Sequence, residues 1–127
     1  MSEYELLESF TSFQGLLQGW IMAAYSGTAA YLVTAYLAGS KLTRSQVAVV
    51  NLAFVVYSSL CLLSAHANFA RMLELVAEIQ DLNPERAFPT KPWMMWAMTA
   101  NGALVILFSV KFMWDVRHRA AGPMQRG

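Results

Sequence analysis

Three long stretches of the chain carry no ionised side chain and are close to continuously apolar. No Asp, Glu, Lys or Arg occurs from Phe10 to Ser40, between Arg44 and Arg71, or between Lys91 and Lys111. A helix needs about 20 residues to cross a hydrocarbon core of roughly 30 Å. Water-facing helices carry a polar face and do not run that far uncharged. The pattern predicts transmembrane helices over about 18–39, 46–66 and 93–114. Trp20 stands at the entrance of the first span, with Tyr31 and Tyr36 toward its exit. Trp93 and Trp96 open the third, and Trp114 closes it. Aromatic residues collect at the two membrane interfaces in this way. The expected fold is all-α: an integral membrane protein with three transmembrane helices, forming a single membrane domain over 1–127.

Two segments break the uniform apolarity with a helical period instead. Over 2–17, Leu6, Leu7, Phe10, Phe13 and Leu17 share one face, while Glu5, Glu8 and Ser12 occupy another. Ser2 followed by Glu5 has the form of a capping box. This helix is expected to lie in the membrane interface or to begin the first span early. Over 67–82, Phe69, Met72, Leu73, Val76 and Ile79 oppose Arg71, Glu74, Glu78 and Asp81. The second span should continue through this segment, reaching about 22 Å beyond the bilayer. Asn83-Pro84 ends it, because the residue before a proline avoids the helical region. Pro84, Pro89 and Pro92 stiffen the loop that follows. The tail from Asp115 to Gly127 is polar and basic, and is expected to be loose after Gly122-Pro123.

Composition sharpens this picture. Of 127 residues, 57% are hydrophobic and only 13% charged, against about 25% charged in soluble domains; mean hydropathy is +0.39. With three spans, the N-terminus and second loop share one side, which holds Arg71, Arg86 and Lys91. The first turn and C-terminus share the other, with Lys41, Arg44, Lys111, Arg117, Arg119 and Arg126. The positive-inside rule then puts the C-terminus in the cytoplasm and the N-terminus outside. On that topology the two amphipathic helices share the outer face, where each can hide the other's apolar stripe. The first seventeen residues have three Glu and no Lys or Arg, unlike a cleavable signal peptide.

Candidate chemistry is sparse. Net charge is +1 without a basic tract, so nothing points to nucleic acid as a partner. Cys61 is the sole cysteine, which excludes an intrachain disulfide. Zinc patterns, phosphate-binding Gly-rich loops and HExxH are absent, no nucleophile–base pair stands out, and no cofactor is expected. Gly19, Ala23 and Gly27 repeat at four-residue spacing and form a candidate helix-packing strip, since small residues let backbones approach in lipid. Thr28, Asn51, Ser58, Ser59, Thr99 and Asn101 are polar positions inside spans. Thr28, Ser58, Ser59 and Asn101 come near mid-depth and should face other helices, as a bonded layer or as the lining of a pore or small-molecule site. His66 is expected to be an interfacial, solvated histidine rather than a haem ligand, because His118 lies in the opposite tail. Met94, Met95 and Met98, with Met22 and Met113, are read as lipid-facing filler rather than soft-metal ligands. No charged side chain stands at mid-membrane, which disfavours a proton relay or ion-coupled transport.

The segment Ala35-Tyr36-Leu37-Ala38-Gly39-Ser40-Lys41-Leu42-Thr43-Arg44-Ser45-Gln46, with the opening Tyr4-Glu5-Leu6, resembles a group of small uncharacterised three-span bacterial inner-membrane proteins over the first half of the chain. The resemblance implies a bacterial inner-membrane location and transfers no activity or functional residue. In architecture alone the chain is also similar to three-span phage holins and to the membrane-anchor subunits of succinate dehydrogenase and fumarate reductase. The extended second helix and proline-rich loop depart from the first, and a paired histidine signature is missing for the second.

Together these features lead to the expectation of a non-enzymatic membrane protein acting in the lipid bilayer as a homo-oligomer or with other membrane subunits. A holin-like pore-former and a haem- or quinone-associated anchor subunit are the alternatives.

Overall fold

The computed structural model describes residues 2–126, with side chains through Arg119. It contains three helices: α1 (Glu3–Ala38), α2 (Arg44–Leu82) and α3 (Pro92–Arg126). All three are long and apolar enough to cross a membrane, and no strand occurs among the described residues. The chain is an all-α membrane protein.

Both hairpin helices start on reciprocal caps. Ser2 Oγ accepts from the Glu5 N–H at 3.3 Å, and Glu5 Oε2 accepts from the Ser2 N–H at 2.9 Å. Thr43 and Gln46 make the same exchange at 3.2 and 2.9 Å, so α2 starts where the short turn after Gly39 ends. Each pair satisfies two donors that the first helical turn leaves open.

α1 and α2 pack antiparallel along almost their full length. The buried positions of α2 (Phe54, Ser58, Cys61, Ala65, Phe69, Met72, Val76 and Ile79, with Leu75 beside Val76) follow a spacing of three or four residues. This period keeps one seam turned toward a neighbouring helix. On α1 the matching buried positions include Leu6, Leu17, Tyr31 and Ala35.

At 36 residues α1 is a single helix, roughly 54 Å long at 1.5 Å per residue. The amphipathic segment 2–17 is therefore continuous with the helix of the first span and not a separate helix lying in the interface. No proline interrupts 3–38, and its apolar face is already covered. Leu6 packs with Leu75 and Ile79, joined by Leu7, Phe10, Phe13 and Phe88. The two amphipathic stripes thus cover each other. The loop 83–91 runs back along them: Phe88 tilts against Phe10 with centroids 5.4 Å apart, and Arg86 pairs with Glu3 at 3.0 Å.

α3 is displaced along the hairpin axis. Its start packs at the level of Leu17 and Ala65–Met72, through Met94, Met95 and Met98. α1 and α2 consequently extend past it by about ten residues, or roughly 15 Å. Its other end passes the α1–α2 turn, where Met113 is buried with Tyr31, Ala35 and Phe54. Met113 is therefore buried between helices, and Met94, Met95 and Met98 are half-buried against the cluster rather than filler alone; the unbranched thioether fills irregular gaps. Beyond Met113 the helix runs on to Arg126. The tail expected to be loose after Gly122-Pro123 lies outside the residues whose side chains are described.

Arg117 ties this end together. Its Nη1 donates to the carbonyls of Gly39 and Leu42 at 2.8 and 2.7 Å. Those are carbonyls at the end of α1 and in its turn, which the helix itself leaves open. Arg117→Met keeps the apolar stem and removes both charge-assisted bonds. It is expected to cost about 1.5–3 kcal/mol, read as a lower midpoint in detergent-induced unfolding; an unchanged midpoint would mean the clasp is incidental.

Candidate functional site

The structure gathers small side chains from all three helices at one depth. Ala24 and Thr28 of α1, Ser58, Cys61 and Ala65 of α2, and Gly102 of α3 meet there, with Ile21, Leu62, Met98, Val105 and Ile106 around them. Where so many neighbours are small, three helices cannot close on one another, and a cavity of about 120 Å³ remains. Gly102 still brings α3 close to α2, because any Cβ there would press on Leu62. The exposed lining residues are Trp20 and Tyr25 on α1 and Asn101 on α3. The mouth therefore lies between α1 and α3 and faces sideways, where lipid would be.

The polar residues of the spans fall into two groups. In the first, the hydroxyl or amide is satisfied within the chain. Thr28 Oγ1 donates to the Ala24 carbonyl at 2.8 Å, and Ser109 Oγ to the Val105 carbonyl at 2.7 Å. Asn51 Oδ1 accepts from the Tyr31 hydroxyl at 2.6 Å, and that ring stacks on Phe54 with centroids 4.0 Å apart. The second group opens onto the cavity. Ser58 is 3% exposed, and its Oγ is the one buried side-chain polar atom without a hydrogen-bond partner among the described residues. Asn101 lines the same cavity. Ser59, one residue along, is half-buried and outside the lining. A single bonded layer through Thr28, Ser58, Ser59 and Asn101 does not form: Thr28 is held by its own helix, and Ser58 is held by nothing.

The small-residue strip of α1 also divides. Ala23 accepts from the Tyr57 hydroxyl through its carbonyl at 2.9 Å. A Cβ on Gly27 would run into the Tyr57 ring. These two positions thus serve packing inside the chain. Gly19 has nothing within 4 Å of the place its Cβ would take, and neither has Gly15, one turn earlier. Gly15 and Gly19 form a Gly-xxx-Gly pair open to the surroundings. Sequence reasoning missed Gly15 because it lies in the amphipathic segment, ahead of the expected start of the first span at about residue 18.

His66 is not merely solvated. Its Nδ1 lies 2.8 Å from Thr99 Oγ1, and its ring meets Trp96 edge-on at 5.3 Å. Thr99 Oγ1 also donates to the Met95 carbonyl at 2.9 Å, an arrangement that suits the tautomer with the hydrogen on Nδ1. The interfacial end of a span offered water, but α3 reaches His66 first, since Thr99 and Trp96 project from its first turns. No group of three or more His, Cys, Asp or Glu able to hold a metal occurs among the described residues.

Comparison with protein-family models, curated proteins and solved structures finds no match for this chain. Its function has to be argued from the geometry alone.

Proposed function

We propose that this chain is a non-enzymatic membrane protein that works within an assembly, either with copies of itself or as a small subunit of a larger complex. The observation that carries the reading is the open Gly15/Gly19 face. Glycine inside a helix costs up to about 1 kcal/mol relative to alanine, so two glycines one turn apart weaken α1 unless the space they leave is used. Inside the chain they accommodate nothing. Close approach by another helix is what such a face permits in lipid, where packing rather than hydrophobicity drives association.

The distribution of charge supports a fixed orientation. Seven of the eight acidic residues lie on the side of the N-terminus and second loop, leaving Asp115 on the other. Six of the nine basic residues accompany Asp115. We take the side with the basic excess as cytoplasmic, in a bacterial inner membrane, with the N-terminus outside. A pore reading is less favoured, because Thr28 and Asn51 spend their hydrogen bonds within the chain and do not form a polar stripe facing outward.

Gly19→Leu is the test. It adds bulk where the chain has open space, so folding should be unaffected while association weakens by tenfold or more. In-membrane crosslinking reads the change. A variant that crosslinks like the wild type would remove the Gly15/Gly19 face from the proposal.

A further inference from the structure

The cavity between the three helices contains a polar anchor that the fold leaves unused. Serine and threonine in helices ordinarily donate to the carbonyl four residues back, and Thr28, Thr99 and Ser109 all do so here. Ser58 departs from that pattern. The residue lines the cavity, and its hydroxyl is buried and has no partner. A buried polar group without a hydrogen bond costs about 1–3 kcal/mol. The cost is removed if something in the cavity accepts the proton.

We infer that this cavity is a binding site for a lipid-soluble molecule with a compact, carbonyl-bearing head, its carbonyl oxygen accepting from the Ser58 hydroxyl. Three features define the occupant. The first is size: a protein cavity of about 150 Å³ holds a benzene molecule, so the about 120 Å³ here takes a small ring or a short branched head. The second is surface. Ile21, Leu62, Ala65, Met98, Val105 and Ile106 give carbon walls, which suit an apolar body and not a cluster of waters, each of which needs two to four polar partners.

The third is access. The mouth faces lipid between α1 and α3, flanked by Trp20, Tyr25 and Asn101, so the occupant enters sideways from the bilayer and its apolar remainder can trail into the acyl chains. Ser58 lies near the middle of the second span. Phospholipid ester groups are held at headgroup level by their charged neighbours. An acceptor that reaches this depth belongs to a molecule whose only polar atoms are weakly hydrated, such as a ketone or a quinone-type ring. Asn101 on α3 supplies a second group at the rim, able to donate or accept.

The inference is independent of assembly, because every lining residue comes from one chain. Its test uses the full chain in lipid nanodiscs with two fluorinated probes, 4-fluoroacetophenone and 4-fluoroethylbenzene. They have nearly the same shape, and only the first has a carbonyl. Fluorine NMR, referenced to empty nanodiscs, separates bound from lipid-dissolved probe. The wild type is expected to bind the ketone about fivefold to tenfold more tightly than the hydrocarbon, the worth of one hydrogen bond. Ser58→Ala should erase that preference while leaving hydrocarbon binding intact, and Cys61→Leu, which fills the cavity, should abolish both. Thermal stability provides a second readout. Ser58→Ala removes an unsatisfied hydroxyl and should leave the unliganded melting temperature unchanged or raised, whereas a hydroxyl that bonds within the protein would lower it. Equal binding of the two probes, a ketone preference that survives in Ser58→Ala, or a clear fall in melting temperature for that variant would each overturn the assignment.

Discussion

Ile79→Asp is expected to open the extramembrane end of the helical hairpin while leaving the spans in place. Ile79 is fully buried between Leu6 and Leu75, at the level where α1 and α2 run on past the start of α3. A carboxylate there would lie among carbon atoms, and Arg86 of the neighbouring loop is already paired with Glu3. Burying an unpaired charge costs about 3–5 kcal/mol. This end of the hairpin has only one small cluster to resist it, so local opening should exceed global unfolding. Trypsin cleavage after Arg71 and Arg86 in nanodiscs should then accelerate at least tenfold, with little loss of total helix signal. Cleavage at the wild-type rate would mean that the cluster around Phe10, Phe88 and Leu75 does not depend on its centre.

The second large effect is expected at Gly27. A leucine side chain would have to displace the Tyr57 ring, which lies directly over that glycine. Moving the ring breaks the bond from its hydroxyl to the Ala23 carbonyl. Overpacking of this kind costs about 1–3 kcal/mol, and the lost hydrogen bond adds about 1 kcal/mol. The contact belongs to one chain, so Gly27→Leu should lower the unfolding midpoint rather than the oligomer mass. Tyr57→Ala in the same background should recover part of the loss, because the clash disappears with the ring. Two losses that simply add would show that Gly27 and Tyr57 are not coupled.

The contrast between Gly19 and Gly27 illustrates what the chain discloses before it is folded. The three spans are legible because hydrocarbon forbids charge, and the charge-free windows are bounded by Glu8 and Lys41, Arg44 and Arg71, and Lys91 and Lys111. The covered pair outside the spans is also legible. Leu6, Phe10 and Phe13 repeat at helical spacing, as do Met72, Val76 and Ile79, and two such stripes joined by a hairpin have few other partners.

Which face of a uniformly apolar helix meets its neighbour is a different matter. Inside the membrane every face is apolar, so hydrophobic periodicity loses its contrast, and Gly19, Ala23 and Gly27 look equivalent along the sequence. Their separation depends on where Tyr57 falls across the hairpin, a matter of register between helices. The cavity is hidden for the same reason. Ala24, Cys61 and Gly102 come from three distant stretches, and only the stagger of α3 brings their small side chains to one level. His66 was misjudged because its position along α2 suggested water, while Thr99 on α3 reaches it first.

The central claim is that this three-helix membrane protein acts within an assembly. Native mass spectrometry on protein extracted with its surrounding lipid, without detergent, tests it most directly. The account predicts a defined multiple of the 14.1 kDa chain, or a complex containing one or a few copies together with other membrane polypeptides. A single 14.1 kDa chain accompanied only by lipid, at every level of expression, would contradict it.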